Sequence, residues 1–166
     1  EATIAESNYI TTTLGTIFAL SNAHAAVSST DGNTIWCNRG GWNGVFVKTV
    51  AGVVTIRALG NDAGGEDFLN ASPYPLDASY LTVWQHGGGN LILYIDDATA
   101  VASTAHGTET DLSAHFCVGR DAITVADSEV FEGEIAEVIT FNTSLSAANL
   151  DSVAGAIATP FGKTWS

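Results

Sequence analysis

The sequence predicts an all-β fold, a sandwich or barrel of short strands with one short helix near its C-terminus. Three observations predict it. Runs rich in Val, Ile, Thr, Phe, Tyr and Trp recur along the 166 residues, and these residue types suit a pleated, half-buried surface. Turn residues interrupt the runs at short intervals, the rhythm of a sandwich or barrel and not of a parallel sheet with helices. Helical periodicity occurs once, close to the C-terminus.

In chain order, the predicted strands are Tyr9–Thr13, Thr16–Leu20, Thr34–Cys37, Val45–Thr49, Val53–Ala58, Tyr80–His86, Leu91–Ile95, Thr99–Ser103, Phe116–Gly119 and Ile135–Phe141. Asp31-Gly32, Asn43-Gly44 and Ala51-Gly52 are predicted turns, because these residues tolerate positive φ. Gly87-Gly88-Gly89-Asn90 joins two strong strands and reads as a hairpin loop. Two longer loops are expected, Gly60–Asp77 and Ala105–Ser113, and loops of such length are often functional. The helix rests on Leu150, Val153, Ala154 and Ile157, which fall on one stripe. Ser146 is placed to cap its first turn, and Pro160 and Gly162 stop it. No internal repeat or linker divides the chain, so residues 1–166 read as one domain.

Composition narrows the partners. Five Lys and Arg face eighteen Asp and Glu, a net charge of −13. Nucleic acid is excluded as a partner, since phosphate binding needs clustered cations, and an acidic membrane surface is excluded on the same ground. The acids are scattered, which fits solubility through self-repulsion. No apolar run approaches the roughly eighteen residues that cross a membrane as a helix. A chain of this size buries about two thirds of its unfolded surface and needs no metal or disulfide to hold its fold. It begins at Glu1 and contains no Met, so it is expected to be a processed or excised part of a larger polypeptide or assembly. Cys37 and Cys117 match no zinc or redox spacing. They read as small buried apolar residues, with one disulfide open to them in an oxidising compartment.

The C-terminal third carries a family likeness. Phe131-Glu132-Gly133-Glu134-Ile135-Ala136-Glu137-Val138-Ile139-Thr140-Phe141, followed by Ser144-Leu145-Ser146 and the helix, resembles the closing signature of laminin G-like (concanavalin A-like) domains. Leu91-Ile92-Leu93-Tyr94-Ile95-Asp96-Asp97 resembles that family's hairpin, with Asp97 where the family has Gly. Tyr80-Leu81-Thr82-Val83 stands where the family has a Trp-His strand and departs from it. Phe116-Cys117-Val118-Gly119 fits its apolar-Gly strand. The likeness covers residues 76–162, and the N-terminal half only through strand rhythm and Thr16–Ser21. It implies an antiparallel two-sheet jelly-roll sandwich with one short C-terminal helix. It also implies a module of extracellular adhesion proteins, carbohydrate-active enzymes or phage virions, with a calcium site at the rim in many members.

Several constellations bear on chemistry. Glu132, Glu134 and Glu137 resemble the Glu-x-Asp-x-(x)-Glu run of concanavalin A-like glucanases, where a retaining glycosidase needs two carboxyls about 5 Å apart. Strand alternation puts Glu132 and Glu134 on one face and Glu137 on the other unless a bulge intervenes, and the middle Asp is absent. His24, His86, His106 and His115 show no metal-ligand spacing and no Gly-x-Ser-x-Gly elbow accompanies them. They read as exposed and non-catalytic. Sugar sites on β-sandwiches use exposed aromatic faces beside polar groups. Tyr80, Thr82, Trp84 and His86 share one strand face, and Ile92 and Tyr94 another, so two aromatic-polar rows are expected to meet across the hairpin. Trp36 and Trp84 suit a core equally well. Trp42, among glycines and asparagine, is expected on an exposed loop. Asp62, Glu66 and Asp67 are candidates for calcium, without the tight spacing of a dedicated loop.

The expected function is therefore a non-catalytic recognition module on an extracellular or virion surface. Carbohydrate is the expected partner, through Trp42, Trp84, His86 and Tyr94. No catalytic residue, no metal ligand and no cofactor other than calcium is assigned. A structural phage subunit whose partner is another protein subunit is the second reading, and a β-glucan glycosidase the third.

Overall fold

The structure, a computed structural model, describes residues 2–4, 15–26, 33–38, 43–108, 116–119 and 130–166. The described strands form two antiparallel sheets. Strands β1 (Ala2–Ile4), β3 (Asn33–Asn38), β4 (Asn43–Val50), β5 (Val53–Asp62), β6 (Gly65–Ala71) and β10 (Phe116–Val118) form a six-stranded sheet, in the order β1-β10-β3-β4-β5-β6. Strands β2 (Gly15–Ala23), β7 (Ser79–Gly87), β8 (Asn90–Ile95), β9 (Ala102–Ala105) and β11 (Gly133–Phe141) form a five-stranded sheet, in the order β11-β2-β7-β8-β9. The chain passes back and forth between the sheets, as a jelly roll requires.

Strand alternation builds the interior. On β2, Ile17, Ala19 and Ala23 point between the sheets, while Phe18 and Leu20 point away from them. Trp36 and Trp84 meet edge to face at the centre, with ring centroids 5.5 Å apart, and Phe116 stacks on Trp36 at 5.7 Å. Such aromatic pairs contribute about 0.5–1.5 kcal/mol beyond their buried area. The outward residues Phe18, Leu20, Leu81 and Val83 would be wet without a cover. Helix α1 (Ala147–Ala158) supplies it with Leu150, Ala154, Ile157 and Ala158. Ser146 caps the helix, its side-chain oxygen accepting the Asn149 amide. A 3₁₀ turn, Thr159–Phe161, follows, and Gly162 ends it at φ 68°.

The hairpin turns follow glycine chemistry. Ala51 and Gly52 have φ of 49° and 83°, and Gly88 and Gly89 have 63° and 77°. Two successive positive φ values match the type I′ turn that suits strand twist. Asn43-Gly44 is not a turn. Both residues pair within β4, Asn43 with Asn38 and Gly44 with Leu59. A Cβ on Gly44 would come within 2.8 Å of the Trp36 carbonyl oxygen, so this glycine serves close packing instead. The expected loop Gly60–Asp77 is also corrected, because it contains β6. The strand expected at Thr99–Ser103 lies at Ala102–Ala105. The expected strand Tyr9–Thr13 and turn Asp31-Gly32 fall outside the described residues, as does the end of the loop Ala105–Ser113.

Strand β11 carries a bulge. Ile135 pairs with Ser21 and Glu137 with Leu20, so Ala136 is the extra residue. Its insertion lets Ile135 and Val138 both pack on the inter-sheet core despite their odd spacing. It also places Glu134, opposite Asn22, and Glu137, opposite Leu20, on the same outer face. The simple alternation that separated these two acids is thereby overturned.

Candidate ligand-binding site

Of the residues expected to bind ligand, Trp84 and His86 lie inside the sandwich and Tyr94 on its outer face. Trp84 is fully buried, and its indole N–H donates to the Leu59 carbonyl at 3.1 Å. His86 is 2% exposed, with its ring 4.8 Å from that of His106. Neither offers a face to solvent, which corrects their reading as surface contacts. The cause is register. Trp84 lies opposite Leu93 and His86 opposite Leu91, so their row meets the apolar row of β8. Tyr94 lies opposite Val83 on the outer face, packed in the helix-covered cluster, and its hydroxyl reaches Gln85 Oε1 at 3.3 Å. Trp42 falls outside the described residues, as does His115.

A different group of residues forms a depression on the outer face. It is lined by Leu20, Ser21 and Asn22 of β2, Ser79 of β7, Glu134 and Ala136 of β11, and Phe161, and is shallow and open to solvent. Helix α1 and its 3₁₀ turn cover the neighbouring part of the sheet and leave this end open. Phe161 is half exposed, at 50%, because the turn that follows the helix carries it outward. The bulge at Ala136 shapes the floor. Gly133, at φ 154°, lets β11 lie against β2 here, since a Cβ would collide with the Asn22 carbonyl oxygen.

The polar groups of this depression are oriented. Glu134 is held by His24, whose Nε2 lies 3.0 Å from its carboxylate. The other ring nitrogen, Nδ1, lies 2.7 Å from Asp77. Two carboxylates on opposite ring nitrogens are both satisfied only by the imidazolium. Hydrogen bonding to Asp77, then to Glu134, accordingly raises the His24 pKa above its ordinary 6.5. Asn22 Oδ1 is buried and has no hydrogen-bond partner among the described residues. A buried acceptor without a donor is costly, and this oxygen is turned away from solvent. An exposed ring, a carboxylate and a hydroxyl together suit a polyhydroxylated ligand.

Asp62, Glu66 and Asp67, the acids considered for calcium, do not all converge. Asp62 and Asp67 converge with His106, while Glu66 is not part of the cluster. Among the described residues the converging side chains are two carboxylates and an imidazole. Of the other histidines, His86 and His106 are buried, which corrects the expectation that they are exposed.

No family model matches the chain, and no curated protein does. Solved structures do resemble it. A heptameric SAP-like pentraxin from Limulus polyphemus superposes with a TM-score of 0.65 at 13% identity, over 89% of this chain and 72% of that one. A candidate carbohydrate-binding protein from Bacteroides ovatus gives 0.67 at 16% identity, over 89% of this chain and 43% of that one. Domain 4 of AbnA, an extracellular arabinanase from Geobacillus stearothermophilus in complex with arabinotriose, gives 0.62 at 12% identity, over 87% and 68%. At such identities the likeness is one of fold: the chain is a two-sheet jelly-roll sandwich of the concanavalin-like type. No helix among the described residues is long and apolar enough to cross a membrane.

Proposed function

We propose that this chain is a non-catalytic carbohydrate-recognition module of the laminin G-like kind, acting outside the cell. The ligand would sit in the outer-face depression, against Phe161. The observation that carries the reading is the juxtaposition, in one depression, of that half-exposed ring with the exposed Ser79 and the His24-anchored Glu134. Neighbours of the same fold that are named for sugar ligands support it. Charge favours neutral sugars. A net of −13, with Glu134 at the site, repels sialylated and sulfated chains.

Binding is favoured over hydrolysis by exposure. A glycosidase acid is kept protonated by apolar, water-poor surroundings, whereas Glu132, Glu134 and Glu137 all stand exposed. Calorimetric titration with neutral oligosaccharides tests the proposal. Binding should be measurable for the chain itself and weaken at least about tenfold in Phe161→Ala, since a sugar-stacking ring contributes on the order of 1.4 kcal/mol or more. Unchanged affinity in that variant would place the ligand elsewhere. New reducing ends from laminarin, lost in Glu134→Gln, would make the chain an enzyme.

A further inference from the structure

The edge strands of the two sheets, β6 and β9, approach one another, and three ligating side chains converge there. Asp62 ends β5, Asp67 lies in β6, and His106 follows β9 directly. His106 Nδ1 lies 2.7 Å from Asp67 and 3.9 Å from Asp62. One ligand atom from each of the three lies within 4.8 Å of the others. The His106 side chain is fully buried, while Asp62 and Asp67 are 16% and 33% exposed, so the cluster opens to solvent on its carboxylate side.

The position is built. The His106 ring lies on the bare Cα of Gly60, where a Cβ would come within 2.9 Å of Cε1 and Nε2. A Cβ on Gly107 would come within 2.6 Å of Asp62 Oδ2. That oxygen accepts the Gly107 amide at 2.5 Å, and Oδ1 accepts the Gly64 amide at 2.6 Å. Two backbone donors therefore fix the Asp62 carboxylate before any ligand arrives.

From this geometry we infer that Asp62, Asp67 and His106 form a site for a zinc-class divalent cation. Ligands about 2.0–2.2 Å from a tetrahedral zinc stand roughly 3.3 Å apart, between the two separations measured from Nδ1. One imidazole nitrogen and two carboxylates suit zinc, cobalt or manganese and not calcium. Three protein ligands leave the fourth position to water on the exposed side. The ion takes the place of the proton that Nδ1 shares with Asp67, so acid competes with it. His24 is no rival, because Asp77 and Glu134 lie on its two opposite nitrogens and cannot share one ion with it. Bound metal would tie the β5–β6 hairpin to the segment after β9 and so join the edges of the two sheets.

The test is titration of the chelator-stripped chain with zinc by calorimetry, with cobalt followed by its visible absorption, and thermal melts with each. One ion per chain is expected, with tetrahedral cobalt bands and a melting temperature raised by several degrees under zinc and unmoved by calcium. Asp67→Asn should weaken zinc at least tenfold, and His24→Ala should leave it unchanged. His106→Gln should also weaken it. Should His106→Gln fail to fold, the surface variant Asp67→Asn still decides. Zinc affinity undiminished in Asp67→Asn, no binding at 100 µM zinc (about a hundredfold above a micromolar Kd), or an equal response to calcium would overturn the assignment. The triad would then be a hydrogen-bonded strut only.

Discussion

Asp96 and Lys163, 67 positions apart in the chain, meet at 2.8 Å. The same aspartate, at φ 53°, accepts the Leu81 amide at 2.7 Å through its other oxygen. It thus fastens the end of the β7–β8 hairpin and the segment after the helix at once. The Lys163 ammonium also lies 5.3 Å from the Tyr80 ring centroid. The two halves of this contact differ in strength. Removing Asp96 leaves the Leu81 amide without its acceptor, which costs about 1–3 kcal/mol. Removing Lys163 breaks a partly exposed pair worth about 0–1 kcal/mol. Urea unfolding of Asp96→Ala and Lys163→Ala should reproduce that order, and equal losses would show that the ion pair dominates.

Helix α1 is structural. Ile157 is 4% exposed and packs with Phe18, Leu20, Leu81 and Val83. Ile157→Ala should cost on the order of 2–5 kcal/mol. Deleting residues 145–166 should uncover the sheet and give an aggregating product. A truncated chain that stays soluble and melts like the full one would reduce the helix to a peripheral tail.

The cysteines are poised to bond. Cys37 and Cys117 are directly opposed on β3 and β10 and are not joined by a disulfide. Opposed residues in an antiparallel pair have Cα atoms about 4.5–5.5 Å apart, inside the disulfide window of about 4.4–6.8 Å. Mild oxidation should lower the mass by about two hydrogens, and the closed loop should raise the melting temperature. A loss of stability on oxidation would mean that the strands must distort to accept the bond.

Two groups set opposite pH dependences. The Asp62 pKa lies below its ordinary 3.8, because the amides of Gly107 and Gly64 bond to its anion. Its contribution to stability is complete above that ordinary value and fades as pH falls through the depressed one. The raised His24 pKa acts the other way, with stability present below 6.5 and fading as pH rises through the raised value. Both groups are near the surface, so the effects on stability are small. NMR titration is the sharper readout: His24 should titrate above 6.5, and Asp77→Asn should bring it down. A midpoint at or below 6.5 in the unaltered chain would show that the carboxylates do not hold the ring.

The parts legible in the sequence were those in which one local signal suffices. The helical stripe at Leu150–Ile157 with Ser146 before it, and the glycine hairpin at Gly88-Gly89, each appear where periodicity and turn chemistry put them. Strand β6 was hidden because Gly65, Glu66, Asp67 and Asn70 are poor strand formers. It survives as an edge strand, where charge on an open edge deters pairing with other chains, and only Leu69 is buried. The bulge at Ala136 leaves no mark in composition, yet it decides which face Glu137 occupies. The sites were the least legible. His106 and Asp67 lie 39 positions apart, and Phe161 lies beyond the predicted helix stop. Only the pairing of the strands brings such residues together. Trp84 shows the converse: an aromatic on a strand suits core and ligand face alike until the register is known.

The most direct test of carbohydrate recognition on the outer face is an NMR titration of the isotope-labelled chain with a neutral oligosaccharide, arabinotriose first. Amide shifts should concentrate at Leu20–Asn22, Ser79, Glu134–Ala136 and Phe161, and the His24 ring should shift with them. Shifts confined to other surfaces, or none with any neutral sugar tried, would contradict the account.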